Sequence, residues 1–252
     1  MTIFFFTASG NSLKVSKAFI TSDCVSISSE LRKSPGSYTD DKIGFIFPSY
    51  FYGIPRPVLK FIRRSDFNSS YFFTIITCGS TSGATSLQLQ NELKKKGISL
   101  NYAVEITTIN NYVPMFDINK EIYTQSKKNI ESILPAAVHD IRASVNRIPS
   151  FGFTAKFSHA IAQIIYKRML DKCDNNLYID DKCNLCGTCA LVCPVDNISV
   201  TGSINFNQKC ESCFACLHNC PQKAIHHKKE KSSSRYREKS ISLNDIIESN
   251  NI

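Results

Sequence analysis

The sequence predicts an α/β protein in two parts, a doubly wound five-stranded parallel sheet followed by a small α+β unit. Three observations lead there. Short apolar runs alternate with longer helical patterns through about residue 150, as βαβ units do. Eight of the eleven cysteines then fall between Cys183 and Cys220. Finally, 42% apolar and 20% charged residues, with 10 glycines and 9 prolines in 252 residues, describe a folded chain and exclude disordered or low-complexity classes.

Residues 3–6 read as a buried first strand. Asn11 or Ser12 caps a helix reaching about residue 20, residues 25–27 form a weak second strand, and 43–47 a strong third. Pro57 suits the first turn of a helix through Arg64, because its fixed φ is helical and its missing N–H is not needed there. Residues 71–77 make the fourth strand. A helix over 84–96 is closed by Gly97, where a left-handed cap is sterically cheap, and 102–107 complete a fifth strand.

Beyond Asn119, the residues Ile130, Ile133, Leu134, Ala137, Val138, Ile141 and Val145 repeat at i, i+3, i+4 and mark one apolar helix face. Pro135 is expected to kink it. A further helical pattern over 155–169 reads as a connector. After His227 the chain is too polar to bury a core, until a short helix whose Ser242 and Asp245 are spaced like a capping box; this tail either docks back or stays loose. The expected division is 1–150 for the sheet domain, 151–172 for the connecting helix, 173–230 for the cysteine-rich unit and 231–252 for the tail.

The formal charge of +9 is unevenly held: residues 1–170 carry 20 Lys/Arg against 11 Asp/Glu, and residues 171–252 carry 10 against 10. Nucleic-acid binding would concentrate that charge on one element beside aromatic residues. The tight clusters, Arg63 with Arg64 and the three lysines 94–96, instead lie on expected helices and read as solvated faces. No apolar run reaches 18 residues, and the first residues lack the basic segment of a signal peptide, so the expectation is a cytoplasmic protein without membrane insertion.

One internal repeat carries chemistry. Cys183-x2-Cys186-x2-Cys189-x3-Cys193-Pro194 recurs 27 residues later as Cys210-x2-Cys213-x2-Cys216-x3-Cys220-Pro221. Three thiolates within seven residues can wrap one face of a cubane iron–sulfur cluster, while the fourth reaches across to the other cluster. The expected ligand sets are therefore crossed: Cys183, Cys186, Cys189 and Cys220 for one, Cys210, Cys213, Cys216 and Cys193 for the second. Zinc also takes four thiolates, but its ribbons pair two C-x2-C units across a longer loop. The segment resembles bacterial ferredoxins with two 4Fe-4S clusters, over about residues 178–226. Val195, Ala224, Ile198 and Ile225 fit the apolar shell that screens such clusters. Cys24, before an apolar strand, reads as a small buried residue, and Cys78 and Cys173 read first as ordinary thiols.

The loops that follow the strands carry a second signal. Thr7, Ala8, Ser9, Gly10, Asn11 and Ser12 join the first strand to a helix whose N-terminal amides can take a phosphate without lysine. It is neither a Walker loop nor a dinucleotide fingerprint. Strand three ends in Pro48, Ser49, Tyr50, Phe51, Tyr52 and Gly53, and strand four in Thr77, Cys78, Gly79, Ser80, Thr81, Ser82 and Gly83; both suit a flat aromatic ligand at the carboxyl edge of the sheet, or else the aromatics plug that edge.

These three loops in this order resemble the flavodoxin-like domain. That resemblance implies FMN, with Thr7, Ser9, Gly10, Asn11 and Ser12 on the phosphate, residues 48–53 and 77–83 flanking the ring, and residues 110–112 closing the pocket. Taken whole, the chain resembles the fused flavodoxin–ferredoxin family of anaerobes, which implies an electron carrier exchanging electrons with a redox partner protein. The alternatives are a flavin-dependent reductase of a small-molecule acceptor, and a ferredoxin whose first domain has become a docking module. The five histidines have no carboxylate partner evident from spacing, so no catalytic residue is assigned.

Overall fold

The computed structural model describes residues 1–251. β1 (Thr2–Phe5) turns into α1 (Asn11–Lys17), and β2 (Asp23–Ser26) into the short α2 (Ile27–Glu30). β3 (Ser37–Thr39), β4 (Lys42–Pro48), α3 (Arg56–Arg64), β5 (Asp66–Asn68), β6 (Tyr71–Cys78), α4 (Thr85–Lys94) and β7 (Tyr102–Thr107) follow. The main sheet is parallel throughout in the order β2-β1-β4-β6-β7. Chain direction across it reverses between β1 and β4, the place where open α/β sheets form a ligand crevice.

Both faces of this sheet are covered, which is why its central strands read as unbroken apolar runs. Alternate residues point to opposite faces. Ile3 and Phe5 pack with Leu13 and Val15 of α1 and with Ile130, Ala137 and Ile141 of α6 (Ile130–Arg142). Phe4, Phe6, Phe45 and Phe47 pack with Val58, Phe61 and Ile62 of α3 and with Leu89 and Leu93 of α4. Each phenylalanine so buried stabilises the fold by about 2–3 kcal/mol relative to exposure.

Several local expectations change. α1 stops at Lys17 rather than near residue 20, and β3 pairs with β5 as a small parallel ribbon that no periodicity announced. α6 ends at Arg142 and runs through Pro135 as one continuous helix. Pro135 is exposed there, so water can hydrate the Glu131 carbonyl that loses its helical donor. α5 (Ile118–Tyr123) precedes α6, and α7 (Phe153–Leu170) is longer than expected. It does more than connect, because Ala162, Tyr166 and Leu170 are buried.

The second unit repeats itself. β8 (Leu177–Ile179) pairs antiparallel with β11 (Ile225–His227), and β9 (Ile198–Val200) with β10 (Ile204–Phe206). α8 (Thr188–Leu191) and α9 (Ala215–Asn219) sit at equivalent places in the two halves. The tail closes the molecule. Tyr236 Oη donates to Asn11 Oδ1 at 2.8 Å, the Glu238 amide donates to Ser9 O at 2.8 Å, and Ile241 and Ile246 join the α1 layer. α10 (Leu243–Asn251) begins with the anticipated box, Asp245 N–H donating to Ser242 Oγ and Ser242 N–H to Asp245 Oδ2. Among the described residues no helix is long and apolar enough to cross a membrane.

Candidate cofactor cavity and cysteine sites

The loops after β1, β4, β6 and β7 converge on one cavity of about 500 Å³ at the carboxyl edge of the sheet, within the range of small-ligand pockets. Of the loop residues singled out in the sequence, Thr7, Ala8, Ser9, Asn11, Ser12, Pro48, Ser49, Tyr50, Phe51, Tyr52, Thr77, Cys78, Gly79, Ser80 and Thr81 line it. Gly10, Gly53 and Gly83 stand behind the wall. Gly10 takes a left-handed φ of 97° at the start of α1, and a β-carbon there would come within 3.1 Å of Ile241 on the docked tail. At Gly83 (φ 59°) a β-carbon would meet Tyr52 Cβ at 2.6 Å. Gly53 lies under the Gln163 side chain.

The wall near α1 is polar and organised. Gly10 N–H donates to Thr7 Oγ1 at 3.2 Å, Asn111 Nδ2 to Ser9 Oγ at 2.6 Å, and Ser12 Oγ shares a bond with Thr77 Oγ1 at 2.9 Å. The first-turn amides of α1 are those a helix leaves without internal acceptors. Among the described lining residues none is Lys or Arg, and Glu211 is the only carboxylate. Burial pushes the Cys78 thiol and the Tyr112 hydroxyl up to about 12, so both are neutral at physiological pH.

The turn of residues 50–53 is strained. Tyr50 and Gly53 exchange backbone bonds at 2.9 and 3.0 Å, with Phe51 at φ 48° and Tyr52 at φ 61° between them. Left-handed φ at both central residues is the pattern of a type I′ turn, which normally takes Asn and Gly. α7 holds it. Gln163 Nε2 donates to Phe51 O at 2.8 Å and Tyr50 O at 3.2 Å, and His159 Nδ1–H donates to Tyr52 O at 2.6 Å. Phe51 stacks on Tyr166, with centroids 5.4 Å apart and planes at 16°.

Two features of the cavity had no sequence signal. Ala162, Ile165 and Tyr166 of α7 line it, as do Glu211, Ser212 and Cys213 from the second cysteine loop. Both contributions depend on non-local packing. Arg56 Nε donates to Glu211 Oε1 at 2.7 Å and Tyr166 Oη to Glu211 Oε2 at 3.0 Å. Burial raises the Glu211 carboxyl, and Arg56 and Tyr166 oppose that rise. Residues 110–112, expected to close the pocket, also line it. Burial lowers His218 to about 4. Its Nδ1 accepts from Tyr236 N–H at 3.1 Å, leaving Nε2–H to donate to Asn111 O at 2.8 Å.

Each of two smaller cavities collects four cysteines. Cys183, Cys186, Cys189 and Cys220 line one; Cys193, Cys210, Cys213 and Cys216 line the other. These are the crossed sets of the repeat. Backbone amides turn toward the sulfurs, Asn197 N–H to Cys193 at 3.2 Å and Ala224 N–H to Cys220 at 3.4 Å, bonds that favour thiolate and tune a cluster's potential. Leu177, Val195 and Ile198 border one set, Ile204 and Ile225 the other. Four thiolates in an apolar, amide-lined recess fit a 4Fe-4S cluster. Cys173 is buried beside Cys210, its sulfur 3.3 Å from the Cys210 carbonyl, while Asp174 accepts from Asn197 Nδ2 and Gln208 N–H.

The 4Fe-4S binding domain family matches residues 177–199, the first half of the repeat. No curated protein gives a match to the chain. The chain thus carries a ferredoxin-like iron–sulfur region beside a five-stranded parallel sheet.

Proposed function

We propose that the chain is an electron-transfer iron–sulfur flavoprotein, with FMN in the large cavity and a 4Fe-4S cluster on each crossed cysteine set. One observation supports it above the others: Ser212 and Cys213 of a cysteine set form part of the wall of the cavity that the three strand-end loops build. FMN supplies one- and two-electron chemistry, and the clusters single electrons.

The protein's part is holding, spacing and screening. Thr7, Ser9, Asn11 and Ser12 offer hydroxyls, an amide and the amides of the first helical turn to a phosphate, and the helix dipole substitutes for a lysine. Pro48, Ser49, Tyr50, Phe51 and Tyr52 flank the ring on one side, and Thr77, Cys78, Gly79 and Ser80 on the other. A redox partner protein and a cytoplasmic setting belong to the same reading. A second reading, reduction of a small acceptor at the cavity, draws on its mouth, where Met115 and Ile165 are exposed.

Anaerobic quantitation of iron, sulfide and flavin on the purified protein tests the proposal. About eight irons and one FMN per chain are expected. Eight irons with no flavin, unrestored by added FMN, would leave only the ferredoxin part standing, and zinc in place of iron would overturn both.

A further inference from the structure

The two cysteine loops are equal in sequence and unequal in setting. Offset by 27 residues, Leu185 and Cys186 correspond to Ser212 and Cys213. The backbone respects the equivalence, since Leu185 and Ser212 are both left-handed at φ 58° and 49°. Their surroundings differ. Ser212 and Cys213 face the large cavity, and Glu211 beside them is sealed by Arg56 of α3 and Tyr166 of α7. Leu185 is 43% exposed, Cys186 is exposed, and none of Cys183, Cys186, Cys189 and Cys220 lines the large cavity.

Resting on the reading above, we propose a fixed order of electron passage. The loop 210–216 is the inner end, next to the flavin cavity. The loop 183–189 is the outer end, and a one-electron carrier protein docks over Leu185 and Cys186, not over the cavity mouth. Electron transfer falls steeply with distance, so the cluster nearest the surface serves the partner. An FMN held in the cavity would, when reduced, supply two electrons and two protons; the electrons would leave singly, each reducing one of two partner molecules, and the protons would pass to solvent. Running the path in reverse reverses the same balance.

A single added charge acts within about a Debye length, roughly 10 Å at 0.1 M salt, so it reports where a partner docks. The test uses the anaerobic protein with its clusters reduced by dithionite, the excess removed, and cationic cytochrome c as acceptor at low salt. Leu185→Lys should slow cytochrome c reduction and Leu185→Glu speed it, each about 3- to 10-fold, with both effects collapsing in high salt. Ile164→Lys, an exposed position of α7 next to Ile165 at the cavity mouth, should leave the rate within 2-fold. Equal rates for the two Leu185 variants, or an Ile164→Lys effect as large as that of Leu185→Lys, would overturn the order. Dithionite loads the clusters directly, so the docking measurement stands even if the protein binds no flavin; flavin content judges the cavity reading separately. Iron content of each variant is measured first, and the opposite signs at Leu185 distinguish docking from damage to the cluster.

Discussion

Tyr52 holds a costly backbone conformation at the wall of the large cavity. It is 40% exposed and holds a left-handed φ of 61° next to Phe51 at 48°, a region that costs a side chain roughly 1–2 kcal/mol. Strain kept at a cavity wall points to placement of the ring, since asparagine would adopt the same backbone more cheaply. Tyr52→Asn should therefore raise the stability of the flavin-free protein by about 0.5–1 kcal/mol, read as a higher urea midpoint at unchanged slope, and weaken FMN binding in a fluorescence titration. A loss of stability would show that the ring's packing outweighs its strain. At Asp245 the Lys17 ammonium, then Ser242, draws the carboxyl down to about 2. A folded value below the unfolded one means the contribution is complete above the ordinary carboxylate range and lost as pH falls from about 4 through about 2. Amide exchange in α10, corrected for intrinsic rates, should accelerate across that window in the native chain and show no such step in Asp245→Asn.

Among the elements, legibility followed how local the cause was. β4 and β6 were plain because burial on both faces makes continuous apolar runs, and the capping box of α10 is set by two residues three apart. β2 was weak because Asp23 and Cys24 are exposed on an edge strand, and the β3–β5 ribbon exists only through tertiary pairing of Tyr38 with Phe67. The three strand-end loops announced fifteen lining residues by position alone. α7 announced nothing of its role, because its exposed Ile161, Ile164 and Ile165 blur the periodicity that would separate its two faces. Yet Gln163 on this helix holds the strained turn. Gln163→Ala removes donors to two carbonyls and should cost about 1–2 kcal/mol. It should also lower FMN affinity, measured by titration; an unchanged affinity would make α7 a scaffold with no part in shaping the cavity.

At the scale of the whole molecule, the cysteine unit and the sheet unit are sewn together by groups that do not survive separation. Arg32 forks onto Asp196 at 2.7 and 3.1 Å, His218 donates to Asn111, and Ile109 and Val113 pack with Phe214 and Leu217. The Arg56–Glu211 pair is the most consequential, since Glu211 is 4% exposed and lines both the large cavity and the recess of Cys193, Cys210, Cys213 and Cys216, while Arg56 is half exposed. Removing one partner of a buried pair costs about 3–5 kcal/mol, and the exposure of Arg56 cuts that to roughly 1–3. Arg56→Ala leaves the Glu211 carboxylate without its cation in the recess it shares with Cys210 and Cys213. Glu211 then either takes up a proton or pushes the loop 210–216 away from the wall. The expected result is a lower denaturant midpoint and, on the proposed assignment, faster bleaching of the cluster assigned to Cys193, Cys210, Cys213 and Cys216 than of the one assigned to Cys183, Cys186, Cys189 and Cys220. Adding Glu211→Gln removes the stranded charge while keeping an amide for Tyr166, so the double variant should recover most of the loss. If it recovers none, the contribution of Arg56 lies in its bond to the Cys210 carbonyl at 3.0 Å, and the two units are joined there through the backbone of the ligand loop.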